Sequence, residues 1–178
     1  MARLLGAEAR GRVSVFYFDA SGVNLTPVVA YAWQPTGATL RLPARHGGRV
    51  NLLGFVSHSA PGYLQRVDGP LDSAGVIAAF DAFAEQRQDQ GLTLVVLDNA
   101  PIHHSHAFHA RIEHWLAYGV GIHFLPPYSP ELNLIEILWR KLKYEWLPLS
   151  AYLSAEALRE AVDEIIANYG SKYQLTFA

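Results

Sequence analysis

The sequence predicts an α/β domain built on one mixed sheet with helices on its faces. Three observations lead there. RVSVFYFD, Arg12 to Asp19, is rich in β-branched and aromatic residues and reads as a strand. Asp72 to Gln90 carries Val76, Ile77, Phe80, Phe83 and Ala84 at the spacing of one helical face. LTLVVLD, Leu92 to Asp98, is a continuous apolar run of the kind that fills a strand covered on both sides.

Taken in order, the first strand ends at Asp19, and Ser21-Gly22 marks a turn. A second strand is expected in Val28 to Trp33, before a Pro-Thr-Gly turn at Pro35 to Gly37, and a third in Val50 to His58. Gln65 to Val67 adds a short edge piece. Asp72 or Ser73 can cap the first helix and Gly91 can stop it. After the buried strand come a helix from Ala107 to Tyr118 and a strand from Val120 to Leu125. Pro126, Pro127 and Pro130 force an irregular extended loop. A helix follows from about Leu132 to Trp146 and is broken by Pro148; the last helix is Ser154 to Asn168, capped by Ser154. The order β-β-β-α-β-α-β-α-α gives antiparallel strands followed by alternating helices and strands. It is the order that a ribonuclease H-like domain needs.

The chain of 178 residues is 51% hydrophobic and 17% charged, enough apolar material for one domain with a sizeable core. It has no cysteine, which excludes disulfides and cysteine-based zinc sites. No signal peptide is visible before Gly11 and no window reaches the roughly 18 apolar residues of a membrane span. A soluble, cytoplasmic protein without a membrane partner is the expectation. The formal net charge of −2 counts against a strong general grip on duplex DNA, since that affinity comes mostly from neutralised phosphates.

Three acids stand out. Asp19 ends the first strand, Asp98 ends the buried strand, and Glu136 lies in the helix after the proline loop. In a mixed sheet the strands bearing Asp19 and Asp98 can run side by side, with the Glu136 helix packed across them. Three carboxylates without thiolates suit hard cations such as Mg²⁺ or Mn²⁺. A pair of such ions about 4 Å apart clamps the attacking and leaving oxygens of an in-line phosphoryl displacement. Each acid also has an ordinary reading. A strand-end Asp is most often a turn or capping residue, and Glu136 can be a solvated helix position paired with Arg140 or Lys143.

Two segments go further. LVVLDNAPIHHS, Leu94 to Ser105, and HFLPPYSPELNLIEILWRKLK, His123 to Lys143, together resemble the DDE catalytic domain of mariner-like transposases, in the bacterial insertion-sequence branch. The second-acid motif falls on Asp98, Asn99, Ala100 and His103. The third-acid motif runs from Leu125 to Glu136, with Trp139 and Lys143 beyond it. The first acid falls on Asp19 in VFYFDASG, where the family often has Asp-Glu and this chain has Asp19-Ala20. Trp33 to Gly37 also looks like the family, and the likeness covers roughly Val13 to Trp146. Leu134 replaces the family's usual Pro at little cost, because both suit a first helical turn.

The resemblance implies Asp19, Asp98 and Glu136 as catalytic, metal-holding residues. It implies Mg²⁺ or Mn²⁺, as a pair of ions, and DNA as partner, both transposon ends and target. It also brings His103 near the active site as a substrate contact. Asn133, one turn before Glu136, can orient it, touch substrate or cap the helix. Arg140, Lys141 and Lys143 form a basic stripe that can track phosphates or merely face solvent. Tyr128 and Ser129 can reach phosphate, and Arg41, Arg45, His46 and Arg49 form a basic loop. Trp139, Leu142 and Trp146 are expected to pack the helix on the sheet. A zinc site among His103, His104, His106 and His109 is the alternative to a role at the acids.

The family's helix-turn-helix units normally precede the catalytic domain, whereas about a dozen residues precede the first strand here. The expected organisation is a short segment 1–12, a catalytic domain 13–170 and a tail 171–178. A homodimer and a separate helix-turn-helix polypeptide are left open as partners. The leading function is metal-dependent cleavage and strand transfer. A plain nuclease of the same fold and a truncated, non-catalytic DNA-binding or dimerisation domain are the alternatives.

Overall fold

The computed structural model describes residues 6–27, 35–37, 47–127 and 129–176. Its sheet has five strands in the order β3-β2-β1-β4-β5. These are β1 (Ser14–Asn24), β2 (Arg49–Val56), β3 (Tyr63–Val67), β4 (Thr93–Leu97) and β5 (Val120–Phe124). The first three pair antiparallel, while β4 runs parallel to β1 and β5 parallel to β4. The helices are α1 (Ser73–Arg87), α2 (His106–Ala117), α3 (Ile135–Lys141) and α4 (Ala155–Ala167). The predicted mixed sheet with flanking helices is present. Among the described residues no helix is long and apolar enough to cross a membrane.

Each strand sends alternate side chains to opposite faces. On β1, Phe16 and Phe18 join a layer with Val76, Phe80 and Phe83 of α1 and Phe108 and Trp115 of α2. Val15 and Tyr17 join the other layer, with Ile135, Leu138 and Trp139 of α3 and Leu158, Val162 and Ile165 of α4. Burying one such aromatic or aliphatic side chain contributes about 1.5–3 kcal/mol, so these two layers hold the helices on the sheet. The first is mostly aromatic: Phe55 stacks on Phe83 at 4.0 Å, and Phe18 meets Phe80 edge-on at 4.6 Å. Trp115 Nε1 donates to Asp81 Oδ1 at 2.7 Å and ties α2 to α1.

The helix ends follow from local chemistry. Asp72 Oδ1 accepts the Gly75 amide at 2.8 Å, Ser105 Oγ the Phe108 amide at 3.2 Å, and Ser154 Oγ the Ala157 amide at 3.0 Å. All three are N-caps, satisfying donors that a helix start leaves open. Gly91, at φ +81°, takes the left-handed conformation needed between α1 and β4.

Two expectations change, and a third lies outside the described residues. The strand carrying Asp19 does not end there: it continues through Ser21 and Gly22, paired with Leu52 and Asn51, to Asn24. The reason is that β2 is long enough to satisfy the extra backbone groups, so the Ser-Gly pair stays extended. The strand expected in Val28 to Trp33 lies outside the described residues, and Tyr63–Val67 is the third antiparallel strand of the sheet. The helix expected from Leu132 to Trp146 is three pieces: a 3₁₀ turn Pro130–Leu132, α3, and a π turn Leu142–Trp146 closed by the Leu147 amide on the Leu142 carbonyl at 3.1 Å.

Gly54 has a structural task. It is the register partner of Asp19 on β2. A methyl group there would meet Ile135 Cδ1 at 3.1 Å and Trp139 Cη2 at 3.2 Å. The missing side chain lets α3 approach the sheet beside Asp19. Gly54→Val should therefore lower stability by about 1–3 kcal/mol through overpacking, and Gly54→Ala by less, as read by thermal denaturation. Unchanged melting of Gly54→Val would contradict the close docking of α3.

Candidate active site

The acids gather at one end of the sheet because of register. The parallel ladder pairs Tyr17 with Val96; two residues further along each chain, Asp19 comes opposite Asp98. Alternation then sets the face. Tyr17 and Val96 both point into the layer covered by α3 and α4, and Asp19 and Asp98, two residues on, follow them. The helix on that face, α3, carries Glu136 in its first turn.

Asp19 is held by α3 itself. Trp139 Nε1 donates to Asp19 Oδ2 at 2.9 Å. A buried indole N–H needs such a partner, and Trp139 is 3% exposed. The Asp19 carboxyl is pushed up to about 6, first by burial and further by the like charges of Asp98 and Glu136. The Ala20 amide and Trp139 pull it the other way.

Asp98 is oriented from behind. Its Oδ1 lies 2.9 Å from His103 Nδ1 and accepts the Ala100 amide at 3.1 Å. The His103 bond holds this carboxyl below the usual Asp range, against the effect of burial, with Ala100 helping. His103 is 1% exposed, with Phe18 and Phe108 rings 5.7 Å away. Its Nε2 is buried without a hydrogen-bond partner. The ring therefore supports Asp98 from within the aromatic layer.

Asn133 is also structural in its visible bonds. Its Nδ2 donates to the Phe18 carbonyl at 3.1 Å, beside Asp19, while its own carbonyl accepts the Glu136 amide at 3.1 Å. No side chain caps the start of α3, so the capping reading of Asn133 is not realised. The residue instead pins the first turn of α3 to β1. Its Oδ1 is buried and unpartnered.

Glu136 and Arg140 are exposed and Lys143 is half-buried. Among the described residues none of the three takes part in an ion pair, whereas Lys141 is bound to Glu145 at 2.9 Å. All three line a groove of about 500 Å³ along α3, with Asn133, Trp139 and Tyr144. A second groove of about 410 Å³ is lined by Asp98, Asn99, Leu125, Pro126, Pro127 and Ser129. Tyr128, Arg41, Arg45 and His46 lie outside the described residues, and Arg49 Nε is bound to Asn51 Oδ1 at 2.7 Å.

Among the described residues, no group of three or more His, Cys, Asp or Glu side chains is arranged as it stands to hold a metal ion. This holds for the histidines as for the acids, and His103 is in addition bound to Asp98. The acids act on one another electrostatically without forming a closed cage, as uncompensated negative charges would. Their chemistry fits a hard divalent cation: the donors are carboxylate oxygens, and both recorded bonds of the Asp98 carboxylate fall on Oδ1.

A mixed five-stranded sheet with flanking helices, with Asp19 on one of two adjacent parallel strands and Asp98 just past the other, has the ribonuclease H-like fold. Comparison with known proteins agrees. A family profile described as DDE superfamily endonuclease matches residues 14–159. The chain is 29% identical over 139 residues to the insertion element IS630 uncharacterized 39 kDa protein of Shigella sonnei, covering 76% of this chain and 39% of that protein. In fold it is similar to the catalytic domain of Mos1 mariner transposase, with TM-score 0.55 and 17% identity over 93% of this chain and 76% of that one. It is also similar to the Mos1 mariner paired-end complex with Mn, at TM-score 0.63 and 20% identity over 97% of this chain and 54% of that one. The chain belongs to the DDE superfamily of endonucleases. It spans about two fifths of the length of its curated relative.

The sign of the Asp19 shift gives a test. Its folded carboxyl, at about 6, lies above the ordinary 3.8. The stability that it contributes to the metal-free fold is thus full below the ordinary value and lost as pH rises through about 6. Binding of a divalent cation needs the ionised form, so Mn²⁺ affinity measured by calorimetry should fall as pH drops below about 6. Trp139→Phe removes a bond that favours ionisation and should move that fall to higher pH. Coincident pH profiles for the two proteins would show that the indole does not act on Asp19.

Proposed function

We propose that this chain is the catalytic domain of a transposase, which cuts and joins DNA phosphodiesters at transposon ends with Mg²⁺ or Mn²⁺. Asp19, Asp98 and Glu136 are the residues that would hold the ions, as a pair. The observation that carries this reading is the placing of the acids: α3, which bears Glu136, is bonded through Trp139 to Asp19 on the central strand, with Asp98 and Glu136 near enough to act on its charge. Family membership supports it.

When bound, hard divalent cations supply activation of a water or 3′-hydroxyl nucleophile and stabilisation of the departing oxyanion. The chain's own residues do the rest. Trp139 and Asn133 fix α3 against β1, so that Glu136 approaches from the helix while Asp19 stays on the strand. His103 and the Ala100 amide hold Oδ1 of Asp98, which leaves Oδ2 for the cation side. Arg140 and Lys143, free of acidic partners among the described residues, are suited to phosphates entering the groove beside Glu136. With a net charge of −2 the chain has little general attraction for duplex. Recognition of the end sequence is accordingly assigned to a separate helix-turn-helix reader, and pairing of two ends to a second copy. The likeness to a paired-end complex supports the latter.

The test is cleavage of labelled DNA in Mn²⁺. Asp98→Asn should fall below about one hundredth of the wild-type rate, and His103→Ala should lose about ten- to hundredfold in Mn²⁺ affinity. Cleavage by Asp98→Asn at the wild-type rate would refute the assignment.

A further inference from the structure

Beside Asp98, three rings tile a patch of surface that the acids do not use. His104 and Phe124 are near parallel, 21° apart with centroids at 4.9 Å. His109 lies 5.9 Å from His104 and 6.0 Å from Phe124, at 27° and 26°. Phe124 is half-buried, whereas both imidazoles are exposed. The patch thus has a fixed apolar floor and open ring faces.

It is joined to the acidic edge through Asn99. The Asn99 Nδ2 donates to the Leu125 carbonyl. That commitment turns Oδ1 toward His104, whose Nε2 lies 3.2 Å away and therefore carries the hydrogen and donates it. Asn99 also lines the same groove as Asp98. One side chain, that of Asn99, thus links the ring patch to the groove that holds Asp98.

Among the described residues these rings belong to no group arranged to hold a metal ion. Their open faces are instead suited to another flat π system. Every nucleobase has such a face, and stacking on aromatic side chains is tolerant of sequence. A base inside a duplex cannot offer it, so the base must have left its stack.

We propose that His104, His109 and Phe124 form a stacking platform for an unpaired nucleobase of the DNA strand held at Asp98. This rests on the function proposed above and adds a site for a displaced base to it. The platform acts by ring face, so sequence preference at that nucleotide is weak and the base must be unpaired.

The test uses the whole chain with Ca²⁺ and two oligonucleotide probes, a fully paired duplex and a forked duplex with 2-aminopurine in its single-stranded arm. The double variant His104→Ala/His109→Ala should bind the forked probe about tenfold more weakly. It should lose the 2-aminopurine quenching seen with wild type and bind the paired duplex unchanged. His104→Phe/His109→Phe should restore both affinity and quenching, which a role in charge or hydrogen bonding would not allow. Equal losses on the two probes, no loss on either, or failure of the phenylalanine pair to rescue would each overturn the platform. Binding of the forked probe by wild type, with no cleavage of it when Mn²⁺ replaces Ca²⁺, would instead overturn the DNA-cutting reading beneath it.

Discussion

The acidic edge depends on how α3 sits on β1 and β2. Its first turn is pinned through Asn133 to the Phe18 carbonyl, and its middle through Trp139 to the Asp19 carboxylate. Gly54 opposite Asp19 gives the helix room to come close. One docking event thereby sets two acids, since the helix that carries Glu136 is the helix that covers and bonds to Asp19. Burial under α3 is also what raises the Asp19 carboxyl, so the same contact that orders the site makes it hostile to its own negative charge.

The second acid is built differently. Asp98 lies at the end of β4, half-exposed, and is oriented by a histidine buried among the aromatic rings of the opposite layer. Its carboxyl is depressed where that of Asp19 is raised. One acid is thus ready in its ionised form, while the other gains most from a cation. Each sheet face contributes: the α1 and α2 layer fixes Asp98 through His103, and the α3 and α4 layer fixes Asp19 through Trp139.

Much of this was legible in the sequence. RVSVFYFD and LTLVVLD gave central strands because β-branched and aromatic runs have few other uses, and the proline loop located the third-acid helix. Strand ends were less legible. Gly22 looked like a turn and is extended, because pairing with Asn51 on a strand far along the chain decides its conformation. The bonds of His103 and Asn133 were not legible for a similar reason: residue type allows several roles, and only the packing shows one ring buried behind Asp98 and one amide bonded to a backbone carbonyl. Trp139 was read as packing alone, though a buried indole always needs an acceptor, and that rule points to the nearest acid on the strand below. Gly54 left no signal, since its purpose is the absence of a side chain against a helix some eighty residues later.

The central claim is that Asp19, Asp98 and Glu136 close around divalent cations. It is tested most directly by growing crystals, soaking them in Mn²⁺ above pH 6, where the Asp19 carboxyl is ionised, and recording anomalous difference density. The account predicts a peak bridged by Asp19 and Asp98, with the Glu136 carboxylate turned toward it. Full ordering of all three side chains with no peak among them, or Mn²⁺ bound only elsewhere, would contradict it.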